Sequence, residues 1–266
     1  MNSSITTPYL EESDNDDSAQ KKDLCVLKNI RMSNINRLVI GQWNINSIRN
    51  KFQTLKAIMS GNLDILVITE SKLDESFPIV QFIMEGYSPP FRLDRNANGG
   101  GVLIYAREDI ACRELEDHPH ISNIEGIFLE LNLKRSKWLV FGGHNPSKDN
   151  IANFVKELGT ILEHYIPKYD NFLLLGDFNS EITENTMKEF SDIYNLSSLI
   201  KEHTCFKNPL NPSIIDLILT NRPRSFQNSQ AIELGLSAHH KLTITIMKAF
   251  FPKQLSFLTE ITSILM

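Results

Sequence analysis

The chain has 266 residues, 41% of them hydrophobic and 22% charged, the balance of a globular protein with room for one large domain or two small ones. No apolar run approaches the roughly 20 residues that a membrane span needs, and no charged-then-apolar leader is present, which argues against membrane insertion and secretion. The net charge of −5 comes from residues 1–20, where Glu11, Glu12, Asp14, Asp16 and Asp17 stand without a Lys or Arg. The rest balances 27 basic against 27 acidic side chains, so any grip on phosphate has to be local. Cys25, Cys112 and Cys205 are scattered and form no CxxC pair, which argues against a disulfide framework or a structural zinc site and suits a reducing compartment.

Residues 1–36 are polar and acidic and read as a disordered lead. Strand and helix signals then alternate over 37–250. "RLVIGQW" reads as a strand. "SIRNKFQTLKAIMSG" reads as a helix, with Ile48, Phe52, Leu55 and Met59 on one face, Ser47 as its cap and Gly61 as its stop. "LDILVIT" is a continuous apolar run, the mark of a strand buried on both faces. "GGGVLIYAR", "IEGIFLELNL" and "KWLVFGG" are three closely spaced strands. "DNIANFVKELGTILEHYI" is an amphipathic helix, "NFLLLGDFNSE" a buried strand, "ENTMKEFSDIYNLSSLI" a helix, and "IIDLILTN" and "KLTITIMK" strands. Residues 251–266 read as an irregular tail. This order predicts α/β layering, with two mixed sheets face to face and helices outside.

The notable polar residues all fall at strand ends. They are Asn44 and Asn46 after the first strand, Glu70 after "VIT", His144 after "FGG", Asp177 and Asn179 after "LLLG", Asp216 opening "DLIL", and the pair His239–His240 before the last strand. Strand ends on a rigid scaffold are a common mount for catalytic groups. Glu, Asp and Asn are hard oxygen ligands suited to Mg²⁺, and a histidine beside them suits proton transfer or stabilisation of a phosphate charge. Each residue also has a plainer reading. Asn44 and Ser47 cap a helix, Glu70 is a solvated loop acid, "GDFN" and the glycines 99–101 are turns, and the paired histidines are loop filler. Asp216 is harder to dismiss, because an unpaired carboxylate in an apolar strand is costly.

As a set, "WNINS", "ITES", "GGHNPS", "LLLGDFN", "TCFKNPLNPSIIDLIL" and "LSAHHKL" resemble the endonuclease/exonuclease/phosphatase superfamily. Within it they most resemble the apurinic-type endonuclease domain of non-LTR (LINE-like, jockey-like) retrotransposons, over about residues 37–248. The resemblance implies a DNase I-like four-layer α-β-β-α sandwich that nicks DNA with Mg²⁺, or Mn²⁺ in its place, and no small-molecule cofactor. It implies Glu70 as metal ligand supported by Asn44 and Asn46, Asp177 as the group that activates water, and Asn179 on the phosphate. It further implies Asp216 beside the metal and the last histidine, and His239 on the scissile phosphate. The family's Ser-Asp-His pattern stands here as Ser237-Ala238-His239, and its tyrosine as His144. Loss of a carboxylate beside a catalytic histidine implies impaired activity. A folded remnant that still binds DNA, and a superfamily phosphatase, are the alternative readings. The resemblance also implies action on nuclear DNA and an original reverse transcriptase partner in one polyprotein. No Tyr/Phe-x-Asp-Asp motif is present, so this chain reads as a stand-alone or truncated copy.

Overall fold

The continuous apolar runs become strands with an apolar layer on either side. In the strand Arg37–Asn44 (β1), Leu38 and Ile40 face one core while Val39 and Trp43 face another. The strand Ile65–Thr69 (β2) divides in the same way, with Ile65 and Val67 to one side and Leu66 and Ile68 to the other. In the strand Phe172–Asp177 (β8), Leu173 and Leu175 face inward and Leu174 faces the opposite layer. The period of two thus feeds two cores at once, which is why no polar alternation marked these strands. The computed structural model describes residues 24–120, 122–134 and 136–251.

The remaining strands are Phe91–Leu93 (β3), Val102–Ala106 (β4), Ala111–Glu114 (β5), Glu125–Leu133 (β6), Ser136–His144 (β7), Ser197–Ser198 (β9), Asp216–Thr220 (β10), Phe226–Ile232 (β11) and Leu242–Phe250 (β12). They form two six-stranded mixed sheets, ordered β11-β12-β1-β2-β4-β3 and β5-β6-β7-β8-β10-β9. One core lies between the sheets. A second lies under residues 24–32 (helix α1) and Phe52–Met59 (α2), a third under Ile151–Tyr165 (α3) and Asn185–Ile193 (α4). The result is the expected α-β-β-α sandwich, as in the DNase I-like fold. No helix among the described residues is long and apolar enough to cross a membrane.

Two expectations need correction. The lead does not extend to residue 36. Residues 24–32 are helical, Leu27 is fully buried in the core, and the buried Arg31 lies 2.5 Å from Asp64. Asp64 is clamped on its other side by Arg107 and also accepts the Val39 N–H, so α1 is tied to the first sheet. Residues 1–23 and the tail 252–266 lie outside the described residues. Ser47 does not cap α2. That helix begins after Lys51 with no side-chain cap, and Ser47 has a left-handed φ of 81°. The short edge strands β3, β5 and β9 and the bulged, polar β11 carry too little apolar pattern to be read from sequence.

Candidate active site

Strand register assembles a row of ionisable groups across the second sheet. Glu125 opens β6 opposite His144, which ends β7. His144 is opposite Asp177 at the end of β8. Asp177 is opposite Asp216 at the start of β10. Four adjacent strands therefore place four ionisable side chains side by side. Under this row Gly176 faces Gly143, and a Cβ on Gly176 would sit 1.9 Å from the Gly143 carbonyl oxygen. The glycine is required there by the close approach of the two backbones.

The first sheet supplies the groups above the row. Asn44 ends β1, and its Nδ2 donates to Asp177 Oδ2 at 2.8 Å while its Oδ1 accepts the Asn46 N–H. Asn44, expected to support a metal, here directs its amide to Asp177 and to the loop. Gln42 Nε2 donates to Asp216 Oδ1 at 3.2 Å. Asn179 donates its N–H to Asp177 Oδ1 and its Nδ2 to the Asn145 carbonyl, and that Nδ2 lies 3.5 Å from His144 Nε2. Asn46, Ser47, Glu70, Lys72 and Asn179 all have φ between 47° and 81°. Such left-handed backbone is uncommon for side-chain-bearing residues and gathers at functional sites.

The histidine that meets the acidic row is His240. Its Nδ1 lies 2.8 Å from Asp216 Oδ2, and its carbonyl accepts the Trp43 indole N–H. His239 is exposed, and its side chain makes no hydrogen bond or ion pair among the described residues. Only its backbone is engaged, accepting the Phe206 N–H. The structure thus brings His240, and not the expected His239, to Asp216: His240 is bridged to Cys205 and half-buried, while His239 is exposed. If His240 is the last residue of the expected Ser-Asp-His pattern, His239 falls at its aspartate and Ala238 at its serine, and the carboxylate is absent in that register too.

Around Glu70 the site is crowded with charge. Gly100 N–H donates to Glu70 Oε2, and Gly101 N–H to Glu125 Oε2. The glycine run is a cradle for two carboxylates as well as a turn. Arg95 pairs with Glu125 at 2.6 Å and approaches Glu70 at 4.0 Å. Lys72 Nζ donates to Asn46 Oδ1 at 2.5 Å and lies 4.0 Å from Glu70. The buried His144 sits between Glu70 at 3.5 Å and Glu125 at 3.4 Å. Glu125, Arg95, Lys72 and Gln42 carry no motif signal. Their part is visible only once the strands are in register.

The electrostatics follow from burial and neighbours. Burial raises the Asp177 pKa, and the Asp216 charge adds to the rise against the pull of His144, His240 and the Asn44 hydrogen bond. For His240, burial favours the neutral ring, but the Asp216 charge and hydrogen bond, aided by Cys205 and Asp177, outweigh it and raise its pKa. His144 is raised in the same way, its burial outweighed by Glu125, Asp177 and Glu70. Glu125 is held low despite burial by His144, the Gly101 N–H and Arg95.

The donor set fits a hard divalent cation. Glu70 and Asn46 present carboxylate and amide oxygens that already draw Lys72 and Arg95 toward them. The buried hydroxyls of Thr69 and Ser71, on either side of Glu70, have no partner among the described residues. Deeper in the site, Asp177, Asp216 and His240 bring ligand atoms within 4.8 Å of one another.

The model of the Endonuclease/Exonuclease/phosphatase family matches residues 41–239. No curated protein matches the chain. Among solved structures, the endonuclease domain of TRAS1, a telomere-specific non-LTR retrotransposon, aligns at a TM-score of 0.62 and 12% identity, covering 82% of this chain and all of that domain. The Xenopus laevis APE2 catalytic domain aligns at 0.60 and 18%, covering 80% of this chain and 92% of that one. The Neisseria 3′ phosphatase NExo, bound to a product DNA hairpin, aligns at 0.59 and 17%, covering 79% and 99%. These likenesses are of fold, whereas the family model spans most of the chain: the protein belongs to the endonuclease/exonuclease/phosphatase family.

Proposed function

We propose that the protein is a Mg²⁺-dependent phosphodiester hydrolase that nicks DNA, of the retrotransposon endonuclease type and weakened in this copy. The observation that carries the reading is the meeting of the Asn44-anchored Asp177 with the Asp216–His240 pair in one cluster. Asp177 is buried, fixed from two sides and raised in pKa, so it suits taking a proton from the attacking water. His240, held charged by Asp216, suits stabilising the charge that grows on the phosphoryl oxygens as the P–O bond breaks. Asn179 and His144 flank the same space and suit orienting the phosphate. Glu70 and Asn46 would hold the cation, which when bound supplies Lewis-acid charge neutralisation.

Support for DNA as substrate comes from the neighbours, which include a DNA-bound phosphatase and a retrotransposon endonuclease. The reading also places the action in the nucleus and an original reverse transcriptase in the same polyprotein. Weakened activity rests on two departures, the histidine at 239 where the family has aspartate and His144 in place of tyrosine. The second reading, a folded DNA-binding remnant, is favoured by those same two residues. The test is nicking of supercoiled plasmid with Mg²⁺ and with EDTA. Equal rates in the two, at high enzyme, would reject the hydrolase and leave the remnant.

A further inference from the structure

Cys205 is buried, and its Sγ lies 3.6 Å from His240 Nε2, the ring nitrogen not used by Asp216. Asp216, His240 and Cys205 thus stand in the order orienter, proton carrier, nucleophile, the arrangement that activates a thiol in enzymes that use one. The placement is fixed. Cys205 is bridged to Ser213 on one side and to His240 on the other, and the neighbouring Thr204 hydroxyl accepts the Asp216 N–H. Phosphodiester hydrolysis has no use for this sulfur. We propose that Cys205 is a modification site for small peroxides, and that its oxidation occupies His240 and switches the hydrolytic site off. The regulatory half rests on the hydrolase reading above; the modification itself does not.

The step balances as one thiol and one hydrogen peroxide giving one sulfenic acid and one water. An S–O bond forms as the O–O bond breaks. The sulfur is oxidised, and the departing peroxide oxygen is reduced to water with the proton that His240 Nε2 delivers. The proton from the thiol restores the ring. The new S–OH then engages Nε2 and withholds it from a phosphate. Excess thiol reverses the change through a mixed disulfide and a second water. Cys205 is only 5% exposed as a residue, which favours a reagent as small as a peroxide over a bulky one, whereas Cys25 is exposed to both.

The test treats the full chain with hydrogen peroxide and locates sulfenic acid by trapping and peptide mass. The expected result is Cys205 labelled at least about tenfold faster than Cys25, a floor set below the roughly 10²–10⁴-fold of positioned proton transfer because Cys205 is the less accessible thiol. His240→Gln and, independently, Asp216→Asn should remove that advantage, each checked for retained fold by circular dichroism. A bulky maleimide should show the reverse order, Cys25 first. Labelling that favours Cys25, or that ignores both variants, overturns the proposal. In parallel, the ratio of nicking rates with and without peroxide should fall in the natural chain, recover with thiol, and stay near one in Cys205→Ser. A Cys205→Ser ratio that falls equally overturns the switch. If no protein nicks DNA, the hydrolase reading fails while the labelling still decides the modification.

Discussion

Asp216 and His240 form the hydrogen bond around which the site is organised: Oδ2 to Nδ1 at 2.8 Å, with the carboxylate fully buried and held on its other oxygen by Gln42. The pair fixes the ring's orientation and makes its charged form the stable one. It also favours His240 over the neighbouring His239, to which the resemblance gave the role.

The first prediction follows from that choice. His240→Ala should lower Mg²⁺-dependent plasmid nicking by about 10²–10⁴-fold, the usual contribution of a positioned proton-transfer or charge-stabilising side chain. His239→Ala should change it little, since its side chain is exposed and unbonded. Equal losses in the two variants would sink the assignment.

The second concerns the missing carboxylate. His239→Asp, alone or with His144→Tyr, should raise the nicking rate, whereas Ala238→Asp should not. A gain from Ala238→Asp and none from His239→Asp would return the register to the Ser-Ala-His reading. No gain from either, with an already robust natural rate, would remove the case for impairment.

Metal entry is the third. A divalent cation at Glu70 and Asn46 has to displace the Lys72 ammonium from Asn46 Oδ1. Lys72 also pairs with Glu70 at 4.0 Å, and solvent-accessible ion pairs are worth up to about 1 kcal/mol, so Lys72→Met should tighten Mn²⁺ binding by a factor of about 2–5. Glu70→Gln should weaken it. Binding is read directly from the free Mn²⁺ signal by electron paramagnetic resonance, so the result does not depend on turnover. Unchanged affinity in Glu70→Gln would place the cation elsewhere.

The fourth tests whether α1 belongs to the folded unit. Arg31→Ala strands a fully buried Asp64 with one guanidinium partner in place of two, and breaking a buried pair costs about 3–5 kcal/mol. Leu27→Ala leaves a hole in the first-sheet core worth about 2–5 kcal/mol. Urea unfolding midpoints measure both. Losses under about 0.5 kcal/mol, the size of an ordinary surface change, would mean that α1 is not part of the unit.

Much of the fold was legible because β1, β2, β7, β8, β10 and β12 are apolar enough to declare themselves, and because α3 repeats its apolar residues at helical spacing. The polar residues that interrupt those strand ends, Asn44, Glu70, His144, Asp177, Asn179 and Asp216, were visible for the same reason: a polar group ending a buried strand needs a partner. What sequence could not supply is register. Glu125 is one acid among many until β6 sets it opposite His144, and Arg95 and Lys72 are ordinary cations until the loops fold over Glu70. The choice of histidine is of the same kind. β12 begins only at Leu242, so its alternation does not extend back to residues 239 and 240. The bridge from Cys205, 35 residues away, turns His240 toward Asp216. Local pattern determined which strands exist and what chemistry collects at their ends; only long-range pairing determined which of those groups face one another.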